Sequence, residues 1–178
     1  TGGSAARMPG DGVGAAIWSP PLSPGGFFAG EVESRALFEW DRDKRARLGI
    51  SVLTLTVSGI RKVTQALHEK EMVITAIDRD IIGSGHSMLF FGRPAPIPLG
   101  TAAIALRSGA PRLRGVRYRV ADDSIMAEAG PKMVGESSGD RKADEIRVTQ
   151  QLLSHIEGFI RRHPEQWHVP HRIWAGSP

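Results

Sequence analysis

Apolar positions change their period several times along the chain, and each change marks an element. From Glu31 to Arg47 they recur every three to four residues, at Val32, Ala36 with Leu37, and Trp40. A densely charged stretch from Arg42 to Arg47 follows, and Gly49 is placed to end the helix this predicts. Ile50 to Val57 alternates apolar and hydroxyl residues, which predicts a strand. Ser58-Gly59 reads as a turn with a cap, and Ile60 to Lys70 as a second helix turning Ile60, Val63 and Leu67 inward. Met72-Val73-Ile74-Thr75-Ala76-Ile77 is a continuous apolar run ending in Asp78-Arg79-Asp80, the pattern of a buried strand with polar groups at its carboxyl end. Strand, helix and strand in this order imply a right-handed parallel crossover. In open α/β sheets ligands sit at the carboxyl ends of the strands.

Beyond the triplet, Gly83-Ser84-Gly85 is a turn and Met88 to Phe91 a second apolar run closed by Gly92. Pro94, Pro96 and Pro98 argue against regular structure after it. Thr101 to Ser108 reads as a short helix stopped by Gly109 and Pro111. Leu113 to Val120 alternates arginine with other residues and reads as a strand with one wet face. Ser124 to Ala127 and Lys132 to Val134 are shorter strand candidates, and Glu136 to Asp140 is a polar loop. Arg141 to Arg162 is the longest helix, with Ile146, Thr149, Leu152, Leu153, Ile156, Phe159 and Ile160 as its apolar stripe and Pro164 as its stop.

Together these elements predict a single α/β domain, a mixed and mainly parallel sheet flanked by helices, over residues 27–174, with a short tail at 175–178. Residues 1–26 are mostly Gly, Ala, Pro and Ser without an apolar period, which predicts a disordered or aberrant arm. Such a stretch also reads as the damaged or misread start of a longer chain.

Composition narrows the chemistry. There is no cysteine among the 178 residues, which excludes disulfides, thiolate nucleophiles and Cys-ligated metal. No apolar run approaches the roughly 18–20 residues of a membrane span, although peripheral membrane binding needs none. No basic stretch followed by an apolar core marks a signal peptide. The net charge of +4 suits an anionic partner such as a phospholipid surface, a phosphorylated substrate or nucleic acid, and equally a basic protein with no such partner. Aromatic residues are 6% of the chain and are not interleaved with the basic ones, which argues against a nucleic-acid-binding module.

Two stretches carry a more specific signal. Asp78-Arg79-Asp80, a Gly turn, Phe90-Phe91-Gly92, a Pro-rich crossing and Ala105-Leu106-Arg107-Ser108-Gly109-Ala110-Pro111 follow one another in that order. Near the carboxyl end stand His163-Pro164-Glu165-Gln166-Trp167 and His171-Arg172-Ile173-Trp174. From about residue 27 to 174 the chain resembles the lysophospholipid acyltransferase superfamily, in particular its bacterial lipid A acyltransferase and phosphatidylinositol mannoside acyltransferase branch. The resemblance implies a fatty acyl chain moved from acyl-carrier protein or acyl-coenzyme A to a glycolipid hydroxyl. It implies no cofactor and no metal, and a peripheral place at an anionic membrane surface, the cytoplasmic face of the bacterial inner membrane.

The resemblance also assigns residues. Asp78 falls where the family has the acidic residue beside its histidine; on its own chemistry it is equally a strand-end carboxylate paired with Arg79 or capping a turn. Arg79 and Asp80 complete the triplet, Arg79 as a substrate-binding candidate and both as architectural residues. Arg45 matches an arginine that contacts the anionic substrate, a role suited to a guanidinium, or is one more charge on a solvated face. Glu31 lies near a family glutamate. The family's base, a histidine in His-x-x-x-x-Asp, is missing. Five positions after His68, His86, His155, His163, His168 and His171 stand Val73, Phe91, Ile160, His168, Ile173 and Gly176. The chain therefore looks like the part after that motif, or a homologue without its base that serves as a non-catalytic lipid- or partner-binding domain. His163, His168 and His171 flank prolines, a poor arrangement for a metal site. Gly83-Ser84-Gly85 lacks the Lys-Ser/Thr of a phosphate loop, and Ser84 and Ser87 lack a nucleophile elbow. Trp167 and Trp174, set among His and Arg, read as anchors at a membrane interface or as aromatics closing over the core.

Overall fold

The computed structural model describes residues 4–8, 25–28, 35–47, 49–53, 56–78, 80, 83–133, 137–167, 169 and 172–174. The chain divides into two compact units, 13–76 and a larger one of 1–12 with 77–178.

The smaller unit has three short strands, β2 (Gly25–Phe28), β3 (Ile50–Leu53) and β4 (Met72–Ile74), and two helices, α1 (Arg35–Ala46) and α2 (Val57–His68). The strands are all parallel, with β2 between β3 and β4. β3 and β4 thus share a sheet, as the strand–helix–strand pattern predicts, but flank a strand that no apolar period announced. α2 begins earlier than expected. Its cap is Thr56, whose Oγ1 accepts from the Gly59 amide at 3.1 Å, so Ser58 and Gly59 lie in the first turn. The buried residues are Gly59, Val63 and Ala66, while Ile60 is exposed. Small residues line this face and let the helix lie close against its neighbours. In α1, two residues of the expected apolar stripe are exposed, Ala36 and Trp40, the latter 59% exposed with Lys44 Nζ 5.5 Å from its ring centre; Val32 lies outside the described residues.

The larger unit has two antiparallel sheets. In one, β8 (Ile125–Ala129) lies between β1 (Ser4–Met8) and β7 (Gly115–Arg119). Ser4–Met8 fall in the stretch predicted to lack structure, and they pair from Ser4↔Ala129 to Met8↔Ile125. Most of the expected arm, and the tail, lie outside the described residues. β7 has the predicted wet face, with Gly115, Arg117 and Arg119 exposed. Of the third candidate strand only an isolated bridge is described, Arg112 to Met133. Among the described residues, the expectation of one mainly parallel sheet therefore gives way to three small sheets, one parallel and two antiparallel.

The other sheet is a hairpin of β5 (His86–Phe90) and β6 (Arg93–Ile97), joined by Phe91 and Gly92, both at positive φ (52° and 74°). β6 holds Pro94 and Pro96, where irregular chain was expected. The register explains why. Leu89 faces Pro94, and both backbone groups of Leu89 point away from β6: its amide donates to Gln150 Oε1 at 3.3 Å and its carbonyl accepts from Gln150 Nε2 at 2.8 Å. In such a pair the partner's backbone nitrogen also points outward, so proline at 94 removes no ladder bond. Pro96 opposite Ser87 repeats the geometry two residues on. Met88, Phe90, Ala95 and Ile97 fill the buried face.

Helices α3 (Gly100–Ser108) and α4 (Arg141–Arg162) end where predicted. Gly109 takes φ 66° after α3, and Asp140 caps α4 through a 3.1 Å bond from the Ala143 amide. Leu153, Phe159 and Ile160 of α4 pack with Met88, Phe90, Ala95, Ile97 and Ile173, and Val148 and Leu152 with Ile77 and Ala102.

The buried face of α4 includes Asp144, which an apolar pattern could not reveal. Its carboxylate accepts from Arg147 Nη2 at 2.8 Å, the Ser138 amide at 2.9 Å and Ser137 Oγ at 3.3 Å. The Arg147 bond first, then the Ser138 amide, hold its pKa down at about 2 against an ordinary 3.8. A depressed folded pKa contributes stability that is complete above the ordinary value and fades as the pH falls to about 2. Asp144→Asn is expected to destabilise the protein at neutral pH, and the gap from wild type to narrow across that acid window. Urea unfolding of both proteins along a pH series checks this; a gap independent of pH refutes it.

Candidate functional site

Ile77 is buried against Ala102, Val148 and Leu152, which anchors the backbone immediately before the Asp78-Arg79-Asp80 triplet. Asp78 is half-buried. Its Oδ2 accepts a hydrogen bond from Trp167 Nε1 at 3.2 Å, and its Oδ1 has no hydrogen-bond partner among the described residues. Asp80 has a different task. Its two oxygens accept from the Ser84 amide at 3.2 Å and the Gly85 amide at 2.7 Å, fastening the glycine turn as an architectural residue would.

Gly85 is there because nothing larger fits. A Cβ at this position meets Asp80 Oδ2 and the Pro96 carbonyl carbon at 2.7 Å and the Ile97 nitrogen at 2.8 Å. Two of these contacts are backbone of β6, which cannot swing aside. Gly85→Ala is expected to cost roughly 1–3 kcal/mol, the usual range for overpacking. Its urea midpoint should fall accordingly; an unchanged midpoint would mean the turn opens without loss.

Trp167 follows a 3-10 turn, Pro164–Gln166, at the end of α4, and its amide donates to Pro164 O at 3.3 Å. Its ring meets Phe90 edge-on at 5.7 Å and 83°, Phe91 at 6.2 Å and Trp174 at 6.4 Å and 72°. Trp174 lies nearly parallel to Phe90 at 5.9 Å and 20°, and its Nε1 donates to the Phe90 carbonyl at 2.9 Å. Arg161 and Arg93 cover the cluster, 5.0 Å from the Phe91 ring centre and 5.7 Å from that of Trp174. Asp78 thus stands at the rim of a four-ring aromatic cluster.

Residues 28–175, and with them the triplet, the hairpin and the aromatic cluster, match the profile of the family described as bacterial lipid A biosynthesis acyltransferase. The chain belongs to that family. Among curated proteins it is similar to the phosphatidylinositol mannoside acyltransferase of Mycobacterium tuberculosis, 28% identical over 161 residues, covering 84% of this chain and 46% of the relative. The enzyme of that name from Mycolicibacterium smegmatis is 29% identical over 153 residues, covering 84% of this chain and 48% of the relative. The chain spans about half the length of the curated relatives it matches.

The acyltransferase resemblance also assigns Arg45, Glu31 and Arg79. Arg45 is half-buried in the last turn of α1, in the smaller unit, whereas Asp78 belongs to the larger. Glu31 and Arg79 lie outside the described residues. A groove of about 570 Å³ in the smaller unit is lined by Arg42, Lys62, Gln65, Glu69 and Glu71 along β3, without Arg45. Its two cations face two carboxylates, so it has no preference for an anion. No helix among the described residues is long and apolar enough to cross a membrane. Of the three carboxyl-terminal histidines, only His163 is described, and its ring stacks on Tyr118 at 4.4 Å and 20°.

Of the two readings of Trp167 and Trp174, the packing favours aromatics closing over the core, with each ring half-buried. Both rings fold onto the core, and both indole N–H groups are bonded inside the protein. Four aromatic rings gain more from mutual packing than from separate exposure. The Asp78–Trp167 bond itself escaped sequence reasoning, because 89 positions separate the partners. The only available signal was a carboxylate in one of the two stretches that carried the resemblance and donor-bearing aromatics in the other, and spacing cannot pair such residues.

Proposed function

We propose that this chain belongs to a membrane-surface acyltransferase, which moves a fatty acyl chain from acyl-carrier protein or acyl-coenzyme A to a hydroxyl of a membrane glycolipid. The acceptor is a lipid A precursor or a phosphatidylinositol mannoside. The observation that carries this reading is the family match across residues 28–175, with Asp78 half-buried inside it and one carboxylate oxygen without a hydrogen-bond partner among the described residues. In the transfer, the acceptor oxygen forms a bond to the thioester carbonyl carbon as its proton passes to a base, and the thiolate then leaves. Asp78 orients or polarises the groups that take part. Arg45, Arg79 and Glu31 serve the substrate side, the two guanidiniums by pairing with anionic oxygens. The chemistry calls for neither metal nor bound cofactor. The protein works as a single acyltransferase domain over 27–174, on the cytoplasmic face of the bacterial inner membrane, held peripherally by anionic lipid.

A second reading has a specific observation in its favour: no histidine in these 178 residues has an aspartate five positions on. The chain would then be a lipid- or partner-binding domain of the same fold. Genomic sequence upstream, read in all frames, separates the two. The direct test is acyl transfer by the chain alone and by the chain joined behind the portion of the Mycolicibacterium smegmatis relative that the match leaves out.

A further inference from the structure

The geometry points to Trp167 as the positioning residue for the Asp78 carboxylate, holding Oδ2 through its indole N–H and turning Oδ1 toward the substrate side. The second half of this assignment rests on the acyl-transfer reading; the first does not.

An indole can only donate and an ionised carboxylate can only accept, so the contact between them has one polarity. Its direction is set by the ring, and the ring is held on three sides by Phe90, Phe91 and Trp174. Trp174 is itself tied to the Phe90 carbonyl, and Phe90 has no exposed surface. The cluster is thus rigid where it meets Asp78, which suits a support for a reacting group.

Phe91 adds a second observation. It stands at φ 52°, a region that bulky side chains rarely enter. A glycine or asparagine would form the same turn without strain. With Phe here, the ring packs against Trp167 and Trp174, and its amide donates to Glu157 Oε1 at 2.8 Å. Strain of this kind gathers where surrounding structure must hold a group in place.

The test reads the tryptophan indole N–H signals of the intact 178-residue chain by NMR, assigned with single Trp→Phe variants. In Asp78→Ala the Trp167 signal should move, and its exchange with water should quicken by roughly tenfold to a hundredfold, as for a lost bond to a charged acceptor. The Trp174 signal should stay, because its acceptor is a backbone carbonyl. Asp78→Asn keeps an acceptor oxygen and should restore most of the protection. If Asp78→Ala fails to fold, Asp78→Leu removes the acceptor while keeping the volume. A Trp167 signal indifferent to these changes, or a Trp174 signal that moves equally, overturns the assignment. In the joined enzyme, Trp167→Phe should lower kcat by roughly tenfold to a hundredfold with KM little changed. Unchanged kcat means the indole only packs, which also overturns it. A joined enzyme with no turnover at all sinks the acyl-transfer reading instead and leaves the NMR result standing.

Discussion

Phe90→Ala is expected to destabilise the protein by about 3–5 kcal/mol, the range for removing a fully buried aromatic ring. Phe90 is 0% exposed and meets Phe91 at 4.9 Å, Trp167 at 5.7 Å and Trp174 at 5.9 Å. Its loss removes the ring that the other three share, and leaves a cavity that β5 and α4 cannot close without giving up Leu153 and Phe159 contacts. Typical domains are stable by only about 5–15 kcal/mol, so this one change uses a large part of the total. Leu89 is the control. It is the next residue along the strand, it is 57% exposed, and Leu89→Ala should change stability by no more than about 0.5 kcal/mol. Its backbone bonds to Gln150 do not depend on the side chain. Urea unfolding of the two variants decides the matter. Equal midpoints would mean that β5 does not alternate between core and solvent as described.

The second large effect concerns turnover. The 178-residue chain is expected to transfer no acyl group above a denatured control, whereas the chain joined to the unmatched portion of the mycobacterial relative transfers to phosphatidylinositol mannoside. General acid–base groups typically contribute 10²- to 10⁴-fold, roughly what the absent His–Asp pair withholds. In the joined enzyme Asp78→Ala should lower kcat by about the same range, since a carboxylate that orients the reacting groups acts in the transition state more than in binding. KM for acyl-coenzyme A should move little. Asp78→Ala at the wild-type rate would remove Asp78 from the mechanism. Robust turnover by the chain alone would show that the His–Asp pair is not needed.

Helices were the most legible part of the fold. The bounds of α4 can be read off the chain because its signals lie within a turn of where they act: Asp140 caps it, the apolar stripe repeats along it, and Pro164 stops it. α3 is similar, with Gly109 at its end. α1 and α2 show the limit of this. Their period was evident, but which face is buried depends on what packs there, and Trp40 and Ile60 stay exposed.

The family was also legible, because it rests on short runs of residues in a fixed order, which need no knowledge of contacts. By itself, then, the sequence determined the local elements, the absence of cysteine chemistry, the family, and the absence of its histidine motif. Only the tertiary structure decided the rest. Strand partners are chosen by hydrogen bonds across long separations, so Ser4–Met8 became a strand by meeting Ile125–Ala129, and Pro94 and Pro96 were admitted to β6 because their nitrogens face outward. The environment of Asp78 was settled in the same way. Its chemistry was visible in the triplet, but the indole that holds it arrives from the far end of α4, placed by four packed rings rather than by any pattern along the chain.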